Sequence, residues 1–450
     1  MPERFVNFYA GSPLNRLSWL RPSHYFLNAV AASPATRWMV FNSGDPLGVK
    51  GSEESKIVYL TTQDLEPILG SEPYFGQGQA EGELCQPADS DAPVDRVLQS
   101  ARHRGSPAVF LGVHEDKSHG EPPALPTSEF SAANAKTAVE KLSGTPIFAI
   151  EVSNEETSIL EKLLRDSSPA QQGQTLSWIE SRSLMFSMDM FTSSVMAEGR
   201  SMVDWNHRNK FCAGCGSPVY SMWGGWKLSC TSLLPWADNA GRKPCISAKG
   251  LHNFTHPRTD AVVIMLAIDE TGDRALLGRG RKYPGKFYSA MAGFIEPAES
   301  FEDAVKREMR EEAGIEVLDV QYHSGQPWPY PANLMVGFYC RASSSQTIRV
   351  DLDNELEDAR WFTRQEILDV VGHKEGTFLT TGKQPKIAAA WTEEEATLQK
   401  ETADKAKPAP EFKLPPATAI AGVLLRDWVY GRVKFGPPPP AEQGNARNNL

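Results

Sequence analysis

Residues 293–315 read GFIEPAESFEDAVKREMREEAGI. Ser300, with Asp303 three positions on, has the form of a capping box, and Gly314 suits the left-handed residue that closes a helix. Between them Phe301, Val305, Met309 and Ala313 recur every four residues as an apolar stripe. With Phe301 at zero and about 100° per residue, Glu308 and Glu312 fall about 20° to either side of it. Glu311 falls at about −80°, on the flank, while Asp303, Lys306 and Arg310 take the opposite face.

A run of charge on a helix is ordinarily a solvated face. Here two carboxylates one turn apart point to the packed side, and like charges at that spacing destabilise a helix. At about 4 Å and an effective dielectric of about 20 they repel by roughly 4 kcal/mol. Such a pair calls for cations, and hard carboxylate oxygens suit Mg2+ or Mn2+ rather than a thiophilic metal.

The 450 residues allow two or three domains. A net charge of −10 speaks against a general polyanion binder, so an enzyme of this composition handling phosphates must neutralise them locally. AVVIMLAI, residues 261–268, reads as a buried strand, far too short to span a bilayer. No secretory pattern opens the chain, and the six cysteines, two of them isolated, do not form a disulfide scaffold.

The chain from Gly293 through Glu299 to Arg307-Glu308-Met309-Arg310-Glu311-Glu312-Ala313-Gly314-Ile315 resembles the Nudix box at every fixed position. Seven fixed positions at average composition make a chance match of about one in 10⁸ per start site. The resemblance implies an α+β fold: a Nudix α/β/α sandwich with a mixed sheet. It also implies metal ligation by Glu308, Glu311 and Glu312, one of them the candidate base, and a bracing pair, Glu299 with Arg307.

Residues 325–333, GQPWPYPAN, resemble the SQPWPFPxS signature of the NADH pyrophosphatase subfamily. Gln326, Pro327, Trp328, Pro329 and Pro331 match, Ala332 fills the open position, and Gly325, Tyr330 and Asn333 depart. The competing reading is a Pro-rich surface turn. The resemblance covers roughly residues 200–430. It implies that Glu355 joins the metal site, that Ala292 and Ala421 contact substrate through the backbone, and that Phe294 stacks on the nicotinamide side. His256 stands where bacterial members carry Tyr. Trp328 and Tyr330 are further stacking candidates, with core filling the alternative for Trp328.

Upstream, Cys212, Cys215, Cys230 and Cys245 crowd into 34 residues, opening as C-x2-C followed by Gly216. The spacing predicts one structural Zn2+ in a closed four-sulfur shell. Buried free thiols and a redox pair are the alternatives. Cys245 must return across an inserted loop, because position 233 is Leu where a second C-x2-C would close the site.

These readings divide the chain into an N-terminal α+β domain over 1–205 carrying no assignable motif, a zinc ribbon over 206–250 and a Nudix domain over 255–430. A surface insertion is expected over about 370–413 and a disordered tail over 431–450. Residues 175–209 read as helix leading into the ribbon, and 418–429 as a final amphipathic helix.

The implied reaction is metal-dependent hydrolysis of NADH or NAD+ to nicotinamide mononucleotide and AMP. The alternatives are another nucleoside diphosphate derivative (ADP-ribose, CoA, diadenosine polyphosphates, NAD-capped RNA) or a zinc-ribbon binding module on an inactive domain. A homodimer is implied, and no membrane. The C-terminus, Asn-Asn-Leu, shares only its Leu with a peroxisomal address, so peroxisome and cytoplasm both stand as expectations.

Overall fold

The computed structural model describes residues 7–50, 55–75, 106–115, 139–142, 144–233, 245, 256–282, 285–296, 299–352, 355–373, 376–377 and 409–433. The expected tail beyond 433, most of the expected insertion, the ribbon's inserted loop and Cys85 lie outside them. Two units result. One comprises Tyr9–Thr259 with Trp328–Ala332, the other Met1–Phe8, Asp260–Pro327 and Asn333–Leu450.

The first unit opens with helix α1 (His24–Ala31), capped by Ser23, whose side chain accepts from Phe26 N. Strands β1 (Arg37–Asn42), β2 (Asp45–Lys50), β3 (Ser55–Ile57), β4 (Tyr59–Leu60), β5 (Ala108–Glu115), β6 (Gly144–Glu151) and β7 (Leu176–Trp178) form a mixed sheet. Its order is β3-β2-β1-β6-β5, with β4 added to β1 and β7 to β2, and β1 and β6 run parallel. The β1–β2 turn has both central residues at positive φ, Ser43 at 53° and Gly44 at 81°, the twist that suits a two-residue hairpin. The buried Glu151 carboxylate accepts from Ser43 N at 2.9 Å and Gly44 N at 3.1 Å. Trp38 stacks on Phe148 with centroids 4.6 Å apart in the core beneath α1. Helix α2 (Thr157–Asp166) adds Leu163 to the same core.

Residues 175–209 are not one helix. Leu176–Trp178 pairs with β2, a short 3₁₀ turn follows, and helix α3 spans Met190–Arg208. The break is local chemistry: Asp189 caps α3 by accepting from Thr192 N, and Leu-Ser-Trp suits an edge strand. Gly199 lets α3 approach the sheet, since a Cβ there would already lie 3.3 Å from Ala149 Cβ. Strands β8 (Val219–Met222) and β9 (Lys227–Cys230) then form a hairpin that ends on Cys230.

Glu198 of α3 is buried with Ser12 Oγ and Arg16 Nη2 each 3.2 Å away. Burial raises its carboxyl from 4.5 to about 7. The folded chain therefore holds this proton where the unfolded chain has released it. Its contribution is full below 4.5 and is lost as pH rises to about 7, a fall of about 3 kcal/mol. Glu198→Gln is expected to remove that slope. Urea midpoints of both proteins from pH 4.5 to 8 measure it, and parallel curves would refute the assignment.

In the second unit, β10 (Asp260–Ile268), β11 (Arg274–Gly280), β12 (Met291–Phe294), β13 (Leu318–Trp328), β14 (Asn333–Arg341) and β15 (Leu356–Thr363) form a mixed sheet. The order is β13-β14-β10-β11-β15 with β12 on β10, and β10 runs parallel to β14. Alternation along β10 builds the layers. Val263, Met265 and Ala267 face helix α4 (Phe301–Ala313), which contributes Val305 and Met309. Ile264, Leu266 and Ile268 face helices α5 (Arg364–Val371) and α6 (Ile420–Val429). That is the expected α/β/α sandwich. Strand β13 had no counterpart in the sequence reading, because its two buried positions, Ser324 and Gln326, are polar and give no apolar alternation. The last residues of the expected insertion belong to the core: Phe412 is buried, and Lys413 bridges to Phe287.

Candidate active site and zinc site

Helix α4 begins and ends as its sequence dictates. Ser300 and Asp303 cap each other reciprocally, and Gly314 ends the helix at φ 69°. The facing of the glutamates also follows the helical wheel. Glu312 is 4% exposed, Glu308 13% by side chain and Glu311 51%.

One arginine joins the helix to the loop before it. Arg307 Nε lies 2.5 Å from Glu299 Oε1 and its Nη2 2.9 Å from Oε2, while Nη2 also donates to Phe294 O at 2.8 Å. Its Nη1 reaches Glu308 Oε1 at 2.7 Å and Glu311 Oε2 at 3.0 Å. The Arg307 guanidinium, with the Glu296 amide, holds the Glu299 carboxyl down at about 2. Burial pushes Glu308 above the ordinary carboxylate range against the pull of Arg307, and the negative charges of Glu311 and Glu355 push the same way.

Gly293 is explained by this packing. A Cβ there would lie 1.9 Å from Glu308 Cδ, so the carboxylate rests against bare backbone. Next to it, Ala292 N donates to Glu312 Oε1 at 3.2 Å. Glu308, Glu311, Glu312, Gly293, Ala292, Glu299 and Arg307 thus converge on α4 and the end of β12. Glu355 precedes β15, and Phe294, 57% exposed, ends β12.

The signature residues separate. Gln326 is 1% exposed; its amide nitrogen donates to Phe8 O and Thr418 O, and its oxygen accepts from Ile420 N at 2.8 Å. It ties the start of α6 to β13. Pro327 and Asn333 belong with this unit, as does Ala421, buried in α6. Trp328, Pro329, Tyr330, Pro331 and Ala332 belong with the other unit. There Trp328 and Tyr330 meet Tyr9 edge-on at 6.0 and 6.4 Å. His256 is in that unit too, 5.8 Å from the Trp223 ring. Arg200, which the sequence reading passed over, donates to Pro329 O.

Cys212, Cys215, Cys230 and Cys245 place their sulfurs within 4.8 Å of one another. The pairs Cys212–Cys245 and Cys215–Cys230 are 3.5 and 3.3 Å apart. Four sulfurs about 2.3 Å from a tetrahedral Zn2+ are about 3.8 Å from each other, so the shell has nearly the right size. Gly216, at φ 74°, turns the knuckle so that its N–H reaches Cys212 O at 2.8 Å. Burial, with Cys215 and Cys212 beside it, pushes the Cys230 thiol up, and four thiolates packed this closely need a cation among them.

A NUDIX domain model matches residues 257–381, and an NADH pyrophosphatase-like rudimentary NUDIX domain model matches 35–205. An NAD-capped RNA hydrolase of Schizosaccharomyces pombe is 33% identical over 82% of this chain and 86% of its own length. The chain belongs to the Nudix hydrolase family. The human NAD-capped RNA hydrolase NUDT12 is 31% identical over 95% of this chain and 74% of its own length. NudC of Mycobacterium bovis, also an NAD-capped RNA hydrolase, is 35% identical over 42% of this chain and 54% of its own length.

As a Nudix hydrolase it acts on pyrophosphate bonds, and such enzymes use divalent metals. The carboxylates fit that requirement, being hard oxygen donors around a glycine that leaves no side chain between them and the sheet. The match over 35–205 also accounts for the segment that carried no recognisable motif.

Cys245 is the sulfur that has to return to the cluster across the inserted loop. Cys245→Ser is expected to lower zinc content well below one per chain and to lower the melting temperature by several degrees. Elemental analysis with calorimetry measures both, and unchanged zinc would return Cys245 to the role of a buried thiol.

Proposed function

We propose that this Nudix hydrolase cleaves the pyrophosphate of an NAD-type dinucleotide, releasing AMP and nicotinamide mononucleotide. The observation that carries this reading is the intact carboxylate set seated on Gly293 and clamped by Arg307. The GQPWPYPAN signature and the relatives' names narrow the class to NAD derivatives. The NAD cap of an RNA presents the same pyrophosphate and is the second substrate proposed, on the strength of those names.

Divalent ions held by Glu308, Glu311, Glu312 and Glu355 would screen the phosphates' charge and ease ionisation of the attacking water. The protein's part is positioning. Glu299 and Arg307 hold the loop carrying Phe294 against α4. Glu311 is the proposed base, because its side chain is half exposed to water while Glu312 is buried and accepts from Ala292 N. The water's proton passes to that carboxylate, its oxygen bonds to phosphorus in line, and the bridging oxygen leaves with the other nucleotide. The exposed Phe294 ring is available to stack on a flat heterocycle.

Purified protein with Mg2+ or Mn2+ should release AMP and the mononucleotide in equal amounts from NADH, and from NAD-RNA it should release the mononucleotide and leave a strand with a 5′-monophosphate. Chromatography of the products decides the matter. Intact dinucleotide and intact cap would remove this reading and favour a catalytically silent domain.

A further inference from the structure

The unit containing Tyr9–Thr259 and Trp328–Ala332 has a cleft of about 410 Å³. That volume lies within the range of small-molecule sites. Tyr330 forms part of its wall, with two guanidinium carbons near the ring centroid, Arg182 at 4.9 Å and Arg200 at 4.6 Å. Two carboxylates, Asp45 and Glu180, line the same cleft. Among the described residues no ion pair joins either arginine to either acid.

The acids are already engaged by backbone. Asp45 accepts from Ser181 N at 3.1 Å, and Glu180 from Arg182 N at 3.0 Å and Ser183 N at 2.7 Å. Arg200 is held in place, its Nε donating to Gly44 O at 3.0 Å. Gly44 makes room for it: φ is 81°, and a Cβ there would come within 2.9 Å of Arg200 Nη2. Arg182 is exposed and has the Tyr330 ring as its described side-chain partner.

Cations kept beside a ring rather than beside nearby acids leave an anion-binding face open. A guanidinium matches a phosphate through paired N–H groups. The carboxylates, fixed by amides on one side, still have lone pairs for hydroxyl donors such as a ribose diol. We propose that this cleft binds a nucleoside monophosphate unit, with its phosphate on Arg182 and its ribose hydroxyls toward Glu180 and Asp45. The unit comes either as a free nucleotide or as a residue of an RNA strand. The RNA source rests on the proposed action on capped RNA, whereas the nucleotide chemistry does not.

The test uses the full-length protein and 5′-GMP, which NAD cleavage does not produce, beside a short 5′-phosphorylated RNA and inorganic phosphate. Titration calorimetry of the wild type and of Arg182→Glu should show at least about tenfold weaker binding of 5′-GMP, of the RNA, or of both in the variant. NADH hydrolysis should stay within about twofold. Weakening of both ligands or of 5′-GMP alone supports a nucleotide site, and weakening of RNA alone assigns the source to the strand. Unchanged binding of both overturns the proposal, as does inorganic phosphate binding as tightly as 5′-GMP, or a matching loss of NADH turnover. Absence of NADH turnover in the wild type would sink the proposed reaction and leave the 5′-GMP comparison to stand by itself.

Discussion

Glu311→Gln should reduce kcat by about 10²–10³-fold with little change in folding, the scale of losing one preorganised electrostatic group. The amide keeps the size of the carboxylate and an oxygen for Arg307 Nη1, 3.0 Å away in the native chain. It removes the charge and the capacity to take a proton. Its half-exposed position on α4 makes a structural penalty small. The measurement is steady-state AMP release from NADH at saturating metal, with the thermal midpoint as control. Turnover within about threefold of wild type would take Glu311 out of the mechanism and move the base to Glu308 or Glu312.

Gly293→Ala should be comparably severe for a different reason. The added methyl would occupy the space of the Glu308 carboxylate, with 1.9 Å to its Cδ. Because Gly293 is paired with Val263 inside the sheet, the backbone cannot retreat and the glutamate must swing away. That breaks its contact with Arg307 Nη1 at 2.7 Å and displaces one proposed metal ligand. We expect a drop of about 10²-fold in kcat and a stability cost of about 1–3 kcal/mol from overpacking. Gly325→Ala is the control, since a Cβ there meets nothing nearer than 3.7 Å. That room equally accommodates the Ser of the subfamily signature. Equal activities of the two alanine variants would show that Glu308 moves without consequence.

Both variants bear on how the charge of the glutamate cluster is managed. The repulsion expected between Glu308 and Glu312 is met partly inside the protein. Arg307 spans Glu299, Glu308 and Glu311, and Glu312 turns to the Ala292 amide. Part of the cluster's charge is therefore balanced by Arg307 and a backbone amide within the protein itself.

The ends and facing of α4 were legible in the sequence because they rest on contacts within a turn or two: a cap, a terminal glycine and a four-residue stripe. Strand β10 was legible for a similar reason, being continuously apolar and buried on both faces. The family was legible as well, since fixed spacing along one helix is itself a one-dimensional pattern. What the chain could not announce were contacts between residues far apart in order. Gln326 tying Phe8 and Thr418 spans more than 90 positions in one direction and more than 300 in the other. The pairing of β1 with β6 and the seating of Arg200 over Tyr330 are of the same kind. Local periodicity records which way a side chain faces, but only the folded chain decides what it meets there, because loop closure brings together groups that no spacing rule relates.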